Sequence, residues 1–344
     1  MTGPEIVREL AERDIDHNIP QRLDYYAQEG YGPFDDEDSR KAGIEAARKV
    51  LKRAGIYRRP RKPDFMDKLE DLHNRQLLNE QYEPRSYSVE FNYPSKPLLK
   101  MHISDLHLGA RGVDYTYIQN ILNIVKENSF IDVCLLGDLY DNYLHFKSLR
   151  GSNDSLVGPS IQVELAAELI RDLDSTGQLD YVTLGNHSVE REERAVGYSV
   201  LKKILPLSIR ERIFETTAVV RYNIGIGGNQ ISYTGIVSHR GKGNSSKNPA
   251  HAAMELIRAW SGVQADFSAV GHYHSPAASS YTEGGREVVA IRCGSPYVDD
   301  IHSKRFYTDP IPGCPCLVFN HRIKEIVPFM NIHQAIRYYK SLKG

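Results

Sequence analysis

From Pro97 onward, apolar residues fall into short runs, and several of these runs end abruptly in polar clusters. Leu98–Ile103 and Ile131–Leu136 are short and largely apolar, and the continuous run in the second predicts a strand buried on both faces. Residues 179–184 predict the next strand. Between the strands the spacing changes to that of helices. Tyr115–Glu127 is one, and residues 161–173 carry Ile161, Leu165, Leu169, Ile170 and Leu173 on one side of another. A further helix spans about residues 199–205. In the second half, residues 218–226 and 230–238 flank Gly227-Gly228-Asn229, a hairpin turn by composition. A helix over 250–259 and a strand over Phe267–Val270 follow. A hairpin over 277–292 turns at Glu283-Gly284-Gly285, and 316–320 pairs with 323–328. Alternating strands and helices predict an α/β domain over residues 96–330, with a helical tail at 331–344.

Residues 1–95 read differently, as a small, mainly helical region. A charged helix is expected over 5–13. Asp38 or Ser39 can cap a second that runs to about Ala54, where Gly55 stops it. A third covers 64–82, with Phe65, Leu69, Leu72 and Leu77 as its apolar marks. Pro84, Pro94 and Pro97 then predict an extended linker. The segment 48–62 holds eight basic residues and no acidic one. It reads either as a solvated face or as a docking element for nucleic acid or a protein partner.

Composition narrows the class. The chain has 344 residues, 41% hydrophobic and 25% charged, so it can bury a core without disulfides. A formal net charge of −1 confines any nucleic-acid footprint to a local patch. No stretch resembles a signal peptide or a membrane span, and there are four irregularly spaced cysteines. The expectation is a reducing, cytoplasmic location with no membrane contact. Cys314-Pro-Cys316 lacks the second pair that a zinc ribbon needs.

The chemistry gathers where the apolar runs stop. The clusters are Asp105-Leu-His107, Gly137-Asp138, Gly185-Asn186-His187, Ser238-His239 and Gly271-His272-Tyr273-His274. Any one of them has an ordinary reading as a turn with a satisfied side chain. Together, four of them directly after strand-like runs, they form a ligand set for divalent metal. Carboxylate, imidazole and amide oxygen suit Mn²⁺, Fe and Zn²⁺ alike. Parallel strands bring such ends to one edge of a sheet.

In this order the clusters closely resemble the pattern of the calcineurin-like metallophosphoesterase family, over about residues 97–328. The resemblance implies a four-layer sandwich of two packed β-sheets flanked by helices. It implies two metal ions, one held by Asp105, His107 and His274, the other by Asn186, His239 and His272, with Asp138 bridging. His187 would protonate the leaving oxygen or stabilise its charge. The family often places an acidic residue after Gly-Asn-His to orient that histidine. Here Ser188 follows, with Glu190, Glu192 and Glu193 beyond it. Two cations so placed clamp a phosphate and generate a nucleophile at neutral pH.

Substrate rests on separate features. The 239–248 loop carries Arg240, Lys242 and Lys247, and Tyr273, Tyr297 and Trp260 could offer stacking faces. With segment 48–62 these favour a DNA nuclease resembling the family's DNA repair exonucleases. The competing reading is hydrolysis of a small phosphodiester or phosphomonoester in a pocket shaped by residues 141–160. A non-catalytic scaffold is the third, and the intact ligand set speaks against it.

Overall fold

The computed structural model describes residues 49, 65–82, 88–142, 155–243, 245, 247–298 and 312–343. The chain divides into two units, Met1–Glu83 and Pro84–Gly344. In the first, helix α1 spans Phe65–Tyr82, as its apolar spacing predicts. Its Phe65, Leu69 and Leu72 are exposed. Lys49 is an exposed helical residue. The rest of segment 48–62 and the helix expected over 5–13 lie outside the described residues.

The second unit holds β1 (Ser88–Tyr93), β2 (Leu98–Ile103), β3 (Ile131–Leu136), β4 (Leu179–Thr183), β5 (Ile213–Phe214), β6 (Ala218–Ile224), β7 (Ile231–Ser238), β8 (Phe267–Val270), β9 (Ala277–Glu283), β10 (Arg286–Arg292), β11 (Cys316–Phe319) and β12 (Ile326–Phe329). Its helices are α2 (Tyr115–Glu127), α3 (Pro159–Ser175), α4 (Val189–Val196), α5 (Val200–Ile204), α6 (Leu207–Arg210), α7 (His251–Ala259) and α8 (Ile332–Lys343). The strands form two six-stranded sheets, ordered β12-β11-β2-β3-β4-β5 and β1-β6-β7-β8-β10-β9. In the first sheet β2, β3, β4 and β5 run parallel. In the second, β7, β8 and β10 do.

Alternation along the strands sorts side chains into layers. Leu98, Leu136, Tyr181 and Phe214 from the first sheet meet Val220, Tyr222, Tyr233, Phe267 and Ile291 from the second. The intervening Leu99, Met101 and Ile103 turn the other way, onto Ile121 of α2, Val163 and Ile170 of α3, and Tyr339 of α8. On the outer face of the second sheet, Ala253, Leu256 and Ile257 of α7 cover Ile236, Val270 and Val288. The result is the expected four-layer sandwich of two packed sheets flanked by helices. No helix among the described residues is long and apolar enough to cross a membrane. All four cysteines are buried and unbridged.

The sandwich extends past both ends of the domain expected from sequence. Ser88–Tyr93, expected as linker, pairs in parallel with β6. Val89, Phe91 and Tyr93 alternate inward onto the core between the sheets. The flanking prolines bracket the strand without interrupting it, so its period of two survives. In the tail expected at 331–344, helix α8 (Ile332–Lys343) buries Ile332, Ala335 and Tyr339 against the first sheet.

One buried charge lies in the space between the sheets. Lys100 on β2 is fully buried, with its Nζ 2.7 Å from Asp132 Oδ2 and 2.8 Å from Asp180 Oδ2. It also lies over the rings of Tyr93 and Tyr222. Burial alone would lower its pKa, but the two carboxylates hold it well above the ordinary lysine value. Two residues on, His102 is also fully buried, and burial pushes its pKa down to about 4. The sign of the linkage follows. Below pH 6.5 the unfolded chain takes up a proton that folded His102 refuses, so stability falls as pH drops toward 4. This histidine alone costs about 2 kcal/mol between pH 7 and pH 5. Urea unfolding at both pH values should show the wild type losing that much more than His102→Phe. Equal losses would contradict the assignment.

Candidate metal centre

The polar clusters fall at the carboxyl ends of β2, β3, β4, β7 and β8. The loops beyond those strands are tied to one another by the backbone. Asp105 N–H donates to the Gly137 carbonyl (2.9 Å), His107 N–H to the Asp138 carbonyl (3.0 Å), and Gly271 N–H to the His239 carbonyl (3.0 Å). Each loop thereby fixes where its neighbour presents a side chain.

The backbone there is unusual. Asp105, His107, Asp138, His272 and His274 all have positive φ, between 45° and 71°. A residue with a Cβ rarely adopts that conformation, and each instance costs about 1–3 kcal/mol. Five of the seven side chains expected to bind metal are held this way, which turns them inward at the strand ends. The glycines clear the space. A Cβ on Gly185 would overlap Asp138 Oδ1, and one on Gly271 would overlap Ser104 Oγ. A Cβ on Gly137 would lie 2.5 Å from His239 Nδ1.

The expected ligands form two groups, and a third cluster joins His107 to Asp141 and His187. In the first, His107 Nε2 and His274 Nε2 stand 3.2 Å apart, and Asp105 Oδ1 lies 3.3 Å from His274 Nε2. In the second, His239 Nε2 is 3.0 Å from Asp138 Oδ2 and 3.1 Å from Asn186 Oδ1, and His272 completes the group. The buried Asp105 Oδ1 has no hydrogen-bond partner among the described residues. Such an atom needs a cation, and the surrounding donor set is that of a divalent metal.

Neighbours fix the direction of each ligand. Asp105 spends its other oxygen, Oδ2, on the Ser104 hydroxyl and the His272 N–H. The His187 N–H donates to Asp138 Oδ1 (2.9 Å). His239 Nδ1 donates to the Leu136 carbonyl (2.7 Å), which leaves Nε2 its lone pair. His107 Nδ1 faces Asp141 Oδ1 at 3.3 Å, with the same effect.

The two carboxylates and the imidazoles around them shift one another. Burial would raise Asp105, yet the imidazoles of His239 and His274 hold its carboxyl at about 2. Asp138 sits well below the carboxylate range, against burial, because of His187 and His239. His239, flanked by Asp138 and Asp105, is raised to about 9 despite its burial. Burial pushes His187 down to about 3 and His272 to about 4.

Three features of the site escaped the sequence reading. Asp141 contributes both its carboxylate and its carbonyl: the carboxylate orients His107, and the carbonyl accepts from His187 Nδ1 (2.6 Å). The candidates for orienting His187 do other things. Ser188 Oγ donates to the Gly185 carbonyl, Glu192 accepts from Tyr140, Asn142 and Val200, and Glu190 is exposed. Glu193's side chain lies outside the described residues. Arg191 is the second feature, with Nη1 2.7 Å from the Asp141 carbonyl and Nη2 2.7 Å from His187 Nε2. The third is Ser295, whose hydroxyl donates to the Asp105 carbonyl (2.7 Å) and braces that loop.

At the rim, Arg240 and Lys242 are exposed just beyond His239. Tyr273 is half-buried, and its hydroxyl donates to the Gly241 carbonyl (2.6 Å), tying down the loop that carries both cations. Tyr297 sets its ring 5.1 Å from that of His107. Trp260, considered above as a stacking face, packs instead on the core beneath α7, because it closes that helix against the second sheet. Residues 143–154 lie outside the described residues.

No protein-family model matches the sequence, and no curated protein does. Solved structures do resemble the chain. A single mutant of Vps29 from Entamoeba histolytica is 16% identical, with 67% of this chain and 99% of that one covered and a TM-score of 0.34. The metallophosphoesterase from Sphaerobacter thermophilus gives 15%, 71%, 97% and 0.32 in the same order. The calcineurin-like phosphoesterase YfkN from Bacillus subtilis gives 11%, 72%, 99% and 0.36. At these values only this chain's own side chains bear on its chemistry.

Asp141→Asn should weaken Mn²⁺ binding by about 10- to 100-fold, the usual cost of losing a carboxylate behind a ligand histidine. Isothermal titration of metal-stripped protein reads this directly. An unchanged affinity would remove Asp141 from the support of His107.

Proposed function

We propose that this chain is a metal-dependent phosphoester hydrolase that acts on nucleic-acid phosphodiesters. The observation that carries the reading is the pair of ligand groups at the joined strand ends, where Asp105 Oδ1 is buried among imidazoles with no hydrogen-bond partner among the described residues. Asp105, His107 and His274 would hold one divalent ion, and Asn186, His239 and His272 the other. Asp138, which groups with His239 and His272, would be the carboxylate shared between them. Mn²⁺ is the favoured ion, and the same donors accept Fe and Zn²⁺. Two such ions would neutralise a phosphate and supply the nucleophile at neutral pH.

The chain's own groups do the rest. Asp141 and Leu136 face Nδ1 of His107 and His239, which would leave Nε2 of each for a metal ion. His187 is fixed by the Asp141 carbonyl, with its Nε2 3.7 Å from Asp138 Oδ2, at the edge of the site. The role that the resemblance implies, a proton donor to the leaving oxygen or a stabiliser of its charge, would require Nε2 to carry a proton.

Support for a polymeric substrate comes from the rim. Arg240 and Lys242 are exposed on a tyrosine-anchored loop beside the second ligand group, where a phosphate backbone could run. The basic segment 48–62 adds local positive charge to a chain of formal net charge −1. A partner-docking role for residues 1–95 belongs to the same proposal.

With Mn²⁺ present, the protein should degrade end-labelled DNA and hydrolyse bis(p-nitrophenyl) phosphate. Asp138→Asn should lose about 10³-fold or more of both activities, since it removes a charge common to both ions. Cleavage of the small diester alone would retain the hydrolase and overturn the nucleic-acid assignment. Equal activity in the variant would overturn the metal mechanism.

A further inference from the structure

The loop that carries His272 and His274 runs from the end of β8 to the start of β9, and in the second sheet β10 lies between those two strands. Residues 271–276 therefore arch over the end of β10. Arg292 is the last residue of β10, in register with Val270 on one side and Ala277 on the other, the two feet of the arch. Alternation along β10 puts it on the face of Val288 and Ala290, the cluster against which Tyr273 also packs.

Beneath the arch Arg292 is only 4% exposed, and it grips the loop in three ways. Its Nε donates to the Ser275 carbonyl (2.7 Å), its Nη2 donates to the Ser275 hydroxyl oxygen (2.5 Å), and its guanidinium carbon lies 5.5 Å from the centre of the Tyr273 ring. Ser275 directly follows His274, and Tyr273 separates the two ligand histidines. Both histidines have positive φ, 71° at His272 and 55° at His274, a conformation that persists only where the surroundings fix it. The Tyr273 hydroxyl ties the arch to the Gly241 carbonyl, and Arg292 ties it to β10. Burying a charge is costly, and here burial lowers the pKa of the guanidinium. In return, a planar fork with N–H groups in fixed directions holds a carbonyl and a hydroxyl of one residue at once.

We infer that Arg292 is a positioning residue of the metal centre, its guanidinium locking Ser275 so that the arch presents His274 to the first ligand group and His272 to the second. This rests on the metal-centre reading. Arg292 acts through the backbone and hydroxyl of Ser275 and the ring of Tyr273. Because one arch serves both groups, its loss is felt at both ions.

The test compares metal-stripped wild type, Arg292→Met, Ser275→Ala and the double variant. Each is titrated with Mn²⁺ by calorimetry, and the melting temperature of the metal-free protein is measured alongside. Arg292→Met should weaken the binding of both ions by about 10- to 100-fold, as loss of the partners that orient metal ligands does. Ser275→Ala keeps the carbonyl contact and should lose less. The double variant should lose no more than Arg292→Met, because the hydroxyl and the guanidinium act as one unit. A role confined to stability would lower the metal-free melting temperature and leave both Mn²⁺ affinities at the wild-type level, and that result would overturn the inference. Losses that simply add in the double variant would overturn it too. If Arg292→Met did not fold, Arg292→Lys takes its place. Weaker binding of both ions, with no further loss on adding Ser275→Ala, would then support the inference, and wild-type affinity would overturn it. A wild type that takes up no Mn²⁺ would bring down the metal-centre reading itself, and the inference with it.

Discussion

Asp105 and Asp138 are buried carboxylates at the ends of adjacent parallel strands, and their ion-pair partners among the described residues are all histidines. Burying a carboxylate is costly unless positive charge and hydrogen bonds surround it. Elsewhere in the same fold the problem is met by a lysine, since Asp180 and Asp132 share Lys100 in the space between the sheets. At the strand ends it is met by imidazoles, which hold a proton or give it up and bind metal in its place. This choice of partner separates a structural charge cluster from a metal centre.

Much of the local backbone follows from that need. Reversing five side chains onto one volume requires left-handed conformations at Asp105, His107, Asp138, His272 and His274. The strain is sustained because the ladder hydrogen bonds of β2, β3, β7 and β8 continue into the loops. Gly137, Gly185 and Gly271 make room for His239, for Asp138, and for Ser104 beside Asp105, respectively. Both sheets contribute to each ligand group, and the aromatic layer between them, Tyr222 and Phe267 against Phe319, sets their spacing.

The sequence made this layout legible where the pattern was strong. Leu98–Ile103, Tyr115–Glu127, Ile131–Leu136 and Phe267–Val270 form as their apolar spacing predicts. The paired glycines at 284 and 285 make the β9–β10 turn with positive φ at both positions. The two ligand groups were visible because each motif sits directly at a strand end. Ser88–Tyr93 was hidden by the prolines around it, although Val89, Phe91 and Tyr93 keep the alternation. Asp141, Arg191 and Ser295 were hidden for a different reason. They act on the site through a carbonyl, a neighbouring ring or a loop brace, and such roles leave no spacing signature. A carboxylate three residues after Asp138, opposite a histidine on the adjacent loop, was the one available sign of Asp141.

The claim on which all of this depends is that the carboxylate–imidazole cage takes up two divalent cations. Metal-stripped protein should be titrated with Mn²⁺, with bound metal measured by equilibrium dialysis and elemental analysis. The account predicts saturation at two ions per chain, with a melting temperature that rises as the sites fill. No saturable binding, or saturation without any rise in melting temperature, would contradict it.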